Sequence, residues 1–396
     1  MEILKKYIYQ VRGVSYKPSD VCDNEKGVPI LRAGNICDNR ICLDDIVCVD
    51  SSKIRPEQFL RDGDILICAS SGSKSVVGKA AIYKLNNFIS AFGAFCKVVR
   101  IKENENVLAD FIRLYFSSKF YREQISNKSQ GANINNIKAE DIDSLLINIP
   151  DIQTQNIAVS ELDKIQAALD NKKEQLKKLD ELIQSKFYEM FGDPVVNDKG
   201  WDLKPFGELF DTILGKMLDK KKQIKTDVSL PYLGNVNVQW GYFILDNLKE
   251  MTFTTKEREK FKLNIGDLLI CEGGESGRCA IWKGAPQEIL FQKAIHRARP
   301  KKINEVNTQY VAMLLKELKS KGGLKTYVSQ STIEHLTGVK LGLVPIILPP
   351  LPLQQAFAAY VEKVEQAKAI VNQEIAHLQE LLDSRMDFYF HTKTEM

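Results

Sequence analysis

The apolar positions between Asp151 and Pro194 fall on a single stripe. Leu162, Ile165, Leu169, Leu176, Leu179, Ile183 and Met190 recur at spacings of three, four or seven, the seam of a coiled coil, and Lys172 and Lys186 interrupt it. Phe191-Gly192-Asp193-Pro194 predicts the end of the helix, because glycine accepts the left-handed residue after a helix and proline cannot continue one. From Leu162 to Phe191 the rod is roughly 45 Å long at the rise of an α-helix. One apolar seam of that length predicts a partner helix.

The partner is on the same chain. Leu145–Phe191 lies over Val344–Phe390 without a gap: Ile147 falls on Ile346, Pro150 on Pro349, Gln155 on Gln354, Leu179 on Leu378 and Phe191 on Phe390. The second seam is Val361, Val364, Val371, Ile375, Leu378 and Leu382. Two helices of one pattern, half a chain apart, mark an internal duplication.

Ahead of each helix lie short apolar runs bounded by turn residues. In residues 1–150 these are Val28–Arg32, Ile46–Val49, Asp64–Cys68, Ala80–Tyr83 and Phe95–Ile101, which predict strands, and Leu108–Phe120 predicts a short helix. Residues 195–349 repeat the order. Asn264-Ile-Gly-Asp-Leu-Leu-Ile-Cys271 answers Arg61-Asp-Gly-Asp-Ile-Leu-Ile-Cys68, and Gly277-Arg-Cys-Ala-Ile-Trp282 answers Gly78-Lys-Ala-Ala-Ile-Tyr83. The expected fold class is α+β, with mixed domains at 1–150 and 195–349. Long helices at 151–194 and 350–396 are expected to pair as an antiparallel coiled coil.

Composition adds bounds. With 396 residues, 44% hydrophobic and 27% charged, the chain is long enough for two ordinary globular cores. No apolar run of membrane-spanning length occurs and the first residues resemble no signal peptide, so a cytoplasmic protein is expected. The eight cysteines form no metal-ligand spacing, and Cys37, Cys42 and Cys48 are expected as reduced thiols rather than a zinc site. The net charge is +4, yet both long helices carry more Asp and Glu than Lys and Arg. The remainder is basic, which suits domains that bind a polyanion.

Catalytic signals fail on inspection. Ser70–Lys79 lacks both the phosphate-loop spacing and its magnesium-binding Ser or Thr, since Ala80 stands there. Asp151, Asp170 and Lys172 satisfy a loose nuclease pattern, but the duplicate has Pro350 and Ala369 in place of the two carboxylates. There is no methyltransferase motif, and the four histidines do not cluster.

The domain, the Ile-Pro leading into a Gln and a charged helix, the Phe-Gly-Asp-Pro stop and the second copy together resemble the specificity subunit of type I restriction-modification systems. Within the first domain Arg12–Pro18, Leu31–Ile36, Asp64–Lys74, Gly78–Ala81, Phe92–Phe95 and Gly131–Ile137 look like one class of target-recognition domain. The second domain departs at Gln330–Leu336. The resemblance implies a bipartite double-stranded DNA target read one half-site per domain, with a nonspecific spacer between. It also implies two methyltransferase subunits and restriction subunits as partners, which would carry S-adenosylmethionine, ATP and magnesium. The chain itself is expected to be non-catalytic and to bind no cofactor or metal.

Candidate DNA contacts follow from residue type, since Arg pairs with guanine, Asn with adenine, and Lys with phosphate. In the first domain they are Arg32, Asn35, Ser73, Lys74, Lys79, Lys97, Arg100, Asn133 and Asn135. In the second they are Lys216, Lys220, Lys221, Asn235, Asn237, Ser276, Arg278, His296 and Arg297. For each one, a solvated surface role is the alternative. Two rival functions remain open from sequence: a protein-binding adaptor on a coiled-coil spacer, and a nuclease using Asp151, Asp170 and Lys172.

Overall fold

The computed structural model describes residues 1–23, 27–37, 39–84, 89–103, 106–128, 135–217, 228–328 and 334–391. The chain forms two compact units, Met1–Glu174 with Asn372–Met396, and Gln175–Val371. The sequence boundaries treat each long helix as a segment of its own. In the structure each helix is instead divided between the units, because its two halves are buried in different cores.

In the first unit four antiparallel strands run in the order Ala80–Ile82, Ile65–Cys68, Cys96–Ile101, Ile8–Arg12. A second sheet orders Ala91–Phe92, Val28–Leu31, Val47–Val49 and Val21–Cys22, its first pair parallel. The strand Ile65–Cys68 is buried on both faces, as its unbroken apolar run requires. Helices Ala109–Ser117 and Lys119–Lys128 cover the first sheet through Phe111, Ile112, Tyr115, Tyr121 and Ile125. Into this core the central helix, Ile152–Phe191, sends Ala158, Leu162, Ile165 and Leu169, and the C-terminal helix, Leu351–Phe390, sends Leu382, Met386, Tyr389 and Phe390. Ile375 and Leu378 pack at its edge. Each fully buried Leu, Ile, Met or Phe side chain contributes about 2 kcal/mol. Arg385 Nη2 meets Glu161 Oε2 at 2.7 Å, and Lys172 meets Glu374 at 2.8 Å. Partner numbers fall as helix numbers rise, so the helices are antiparallel here.

The second unit repeats both sheets. Cys279–Ile281, Leu268–Cys271, Ile295–Pro300 and Phe210–Leu214 form the first; Lys249–Phe253, Val228–Leu233 and Leu290–Phe291 form the second, again with one parallel pair. The helix Thr308–Ser320 lies on the first sheet. Ile183, Phe187 and Phe191 join Phe357, Val361 and Val364 in its core, with Leu179 partly buried against it. Val371 is buried and Leu176 half-buried. Lys368 pairs with Asp180 at 2.8 Å, which gives the same antiparallel direction. Phe187, off the expected seam, is fully buried because the 3.6-residue turn drifts from a heptad toward the domain.

The shared glutamine is an internal clamp. Gln155 Oε1 accepts the Leu108 N–H at 2.9 Å, and its Nε2 donates to Asn106 and Pro150 carbonyls. Gln354 Oε1 accepts the Asn307 N–H at 2.9 Å and donates to the Pro349 carbonyl. Neither glutamine is exposed, and each fixes the start of a long helix to its own domain. The helix stop also holds: Gly192 has a φ of 76°, and a Cβ there would sit 2.0 Å from Asp198.

Candidate nucleic-acid interface

At one end of the first unit, loops from both sheets border a cleft of about 930 Å³ lined by Tyr16, Arg32, Gly34, Asp45, Ser70 and Phe95 among others. The frame behind it is tight. Gly13 lies against the Gly93 carbonyl, where a Cβ would stand 2.1 Å from the oxygen, so no other residue fits. A short 3-10 turn, Ala33–Asn35, is tied by Asn35: its Oδ1 accepts the Arg32 N–H at 2.9 Å and its Nδ2 donates to the Cys42 and Asp44 carbonyls. After the strand ending at Cys68, Gly78 donates to the Cys68 carbonyl at 2.8 Å and Cys68 to that of Lys79 at 2.9 Å. The loop Ala69–Val77 rises from this pair.

The second unit keeps the frame. Gly215 lies against Gln292, with its Cβ position 2.4 Å from that carbonyl. The turn Asn235–Asn237 is tied by Asn237, whose Oδ1 accepts the Gly234 N–H at 2.9 Å and whose Nδ2 donates to Ile244. Gly277 donates to Cys271 at 2.9 Å and Cys271 to Arg278 at 2.8 Å. Only Glu272–Ser276 spans the gap that Ala69–Val77 fills. The structural equivalences are therefore Arg32 with Gly234 and Asn35 with Asn237.

The sequence candidates separate into two groups. Ser73, Lys74 and Lys79 are exposed, and Arg32 is partly so, with its guanidinium 2.9 Å from Asp45 at the cleft. Several others are interior. Arg100 is 5% exposed and forms a two-pronged pair with Asp64. Arg297 donates to the Lys260 and Lys262 carbonyls and packs on Phe291. Ser276 is buried and donates to the Glu272 and Glu334 carbonyls. His296 is buried, with Nε2 3.1 Å from the Leu336 carbonyl and 3.5 Å from Glu272; burial holds its imidazole below the ordinary value. Lys216, expected at phosphate, reaches Glu257 at 2.6 Å and the Thr252 carbonyl, over the Phe253 ring.

Asn35 and Asn237 hold their turns, as described. Asn235 donates to the Gly273 carbonyl at 3.0 Å, and Arg278 donates to the Asn235 carbonyl at 2.8 Å and meets Glu275. Lys97 is half-buried, and burial followed by the neighbouring Arg12 lowers its pKa. The corrected reading of Arg100, Arg297, Ser276, His296 and Asn35, buried and bonded within their domains, is that they build the fold behind the loops. Buried polar groups must be hydrogen-bonded, so residues of the right type for base reading are also the right type for tying loops together. Asn133, Lys220 and Lys221 lie outside the described residues; of Asn135, only the backbone is described, pairing with Ser71. Residue type did not single out Tyr16 or the 72% exposed Phe95, whose place at the cleft comes from the Phe92–Phe95 turn.

The twelve seam residues lie where the helix pairing requires, buried or half-buried. The nuclease residues do not converge. Asp151 accepts the Thr154 N–H and hydroxyl at the helix start, Asp170 pairs with Arg40, and Lys172 pairs with Glu374. Asp151 and Asp170 stand about 28 Å apart along one helix. Among the described residues no group of His, Cys, Asp and Glu is placed to hold a metal ion. The expectation of reduced thiols fails for Cys37 and Cys42, which form a disulfide across the hairpin Ile36–Ile41.

Comparison with known proteins places these features. A family model described as the type I restriction modification DNA specificity domain matches residues 8–181 and 198–380. The chain is 30% identical over 379 residues to the type I restriction enzyme StySPI specificity subunit of Salmonella potsdam, across 90% of this chain and 79% of that protein. It is 29% identical over 374 residues to the EcoKI specificity subunit of Escherichia coli (strain K12), with the same coverage. Among solved structures, a type I restriction-modification S subunit from M. genitalium shares the fold with a TM-score of 0.53 at 14% identity, over 99% of this chain and 96% of that one. A chain from a structure on complex assembly and conformational transition of the type I R-M system gives 0.55 at 17%, over 96% and 97%.

Proposed function

Because the chain belongs to the family of type I restriction-modification DNA specificity subunits, we propose that each of its two domains reads one half of a bipartite double-stranded DNA target. The observation that carries this reading is the duplicated frame with unlike tips. Two glycine-tight sheets hold the same turn and the same loop base, while the residues those loops present differ in charge, size and length. Such a construction separates holding from reading: the frame orients the loops and the tips select the sequence. Exposed Lys74 and Lys79, on and just after the loop Ala69–Val77, supply phosphate contacts.

The chain directs chemistry that other subunits perform. Its partners are methyltransferase subunits, two per chain, and restriction subunits. S-adenosylmethionine, ATP and magnesium belong to those partners, and this chain holds none of them. Among the described residues no helix is long and apolar enough to cross a membrane; a cytoplasmic setting is part of the same proposal.

The test is binding of fluorescent duplexes by the chain in complex with its methyltransferase partner, at several salt concentrations. One duplex class is expected to bind selectively, with affinity falling steeply as salt rises. Equal binding of all duplexes, or none with the partner present, overturns the proposal.

A further inference from the structure

The repeated turn behind the interface points to one reading residue. In the first domain Asn35 N–H donates to the Arg32 carbonyl at 2.9 Å and Cys42 N–H to the Asn35 carbonyl at 3.0 Å, and the second domain repeats both bonds. Asn237 N–H donates to the Gly234 carbonyl at 2.9 Å, Ile244 N–H to the Asn237 carbonyl at 2.9 Å, and Gln239 Nε2 to the Val236 carbonyl at 2.9 Å. Asn235 is tied on both sides, its amide to Gly273 and its carbonyl to Arg278. The side chain that this fixed turn presents is Val236, which is 73% exposed. Its equivalent is Gly34, which lines the first domain's cleft, and the space where a Cβ would stand is open.

A solitary exposed valine is usually unremarked. Here it stands at the tip of a turn that two domains of one chain hold identically and tip differently. A β-branched side chain at a turn also has few rotamers to lose on contact. It has no donor or acceptor, so among base edges in the major groove its complement is the thymine 5-methyl group.

We propose that Val236 reads a thymine 5-methyl group in the half-site of the second domain, and that its counterpart Gly34 leaves the first domain without that contact. This inference rests on the DNA-reading function proposed above.

The experiment uses the complex with the methyltransferase subunit. Its target is first obtained by sequencing the DNA it methylates, and each thymine of the second half-site is then replaced by deoxyuridine, which lacks only the methyl. For the wild type, one such replacement is expected to weaken binding about four-fold, the effect of one buried methyl. In Val236→Ala, which keeps one methyl, that same replacement is expected to weaken binding less than in the wild type, while the first half-site is read as before. Gly34→Val, which meets no neighbour, is expected to keep its melting temperature and change preference in the first half-site alone. A wild type that binds without sequence selectivity defeats the functional reading itself. A selective wild type whose deoxyuridine response is the same with valine or alanine at 236 defeats this inference alone.

Discussion

Arg100 and Asp64 face each other inside the first domain, with Nε and Nη2 each 2.9 Å from a carboxylate oxygen and neither side chain more than 5% exposed. Arg299 and Asp267 repeat the pair in the second domain, Nη2 to Oδ2 at 2.8 Å. Removing one partner leaves a buried charge uncompensated, which costs about 3–5 kcal/mol. Arg100→Ala is therefore expected to lower the first domain's melting temperature sharply, measured by calorimetry. The folded fraction, recovered at low temperature, keeps its half-site preference; an unchanged melting temperature with altered preference would return Arg100 to the DNA face.

Gln155 and Gln354 tie each long helix to its domain. Replacing either with Ala leaves a backbone N–H and its neighbouring carbonyls without partners, at a cost of about 1–3 kcal/mol. Amide exchange at Leu108 is expected to accelerate in Gln155→Ala, and at Asn307 in Gln354→Ala. Exchange rates at the other domain's site serve as the internal control.

Lys74→Ala and Lys79→Ala should weaken DNA binding alike for cognate and non-cognate duplexes. Each removes one phosphate contact, so the slope of log affinity against log salt falls by about one. A change confined to one base position would instead mark either lysine as a base reader.

His296 makes the second domain sensitive to acid. Burial holds its pKa below the usual 6.5, opposed by the Glu272 carboxylate 3.5 Å away. Below that value the unfolded chain binds a proton that the folded one refuses, so stability is lost as pH falls from 6.5 toward the folded pKa. Denaturation of His296→Gln between pH 8 and 5.5 is expected to show a flatter pH dependence than the wild type.

The duplication was legible because the helix seams and the Gly-Asp turns before the buried strands are local patterns that repeat with little drift. Strands such as Ile65–Cys68 and the helix Ala109–Ser117 follow from apolar runs and spacing. The helix Lys119–Lys128 was not legible, because only Tyr121 and Ile125 are buried on an otherwise polar segment. Nor was the strand Ile8–Arg12, where Ile8 and Val11 are the buried pair and alternation is broken. At the site, residues were taken as readers by type. Two domains reading unlike sequences share what the fold needs, so Arg100, Asn35 and Asn237 proved to be ties within the frame. The tips that can differ, Gly34 and Val236, carry no signal until the turns are superimposed. The Cys37–Cys42 bond depends on a hairpin that the sequence pattern did not show.

Gly13 and Gly215, each pressed against a carbonyl, set the terms on which this protein can change its target. Substitution there would be lost at folding, before any DNA was met. Substitution at the tips leaves folding untouched and is filtered only by which duplex is bound. Over generations the frame is held still while the tips wander, so such a chain can acquire a new target faster than a new shape.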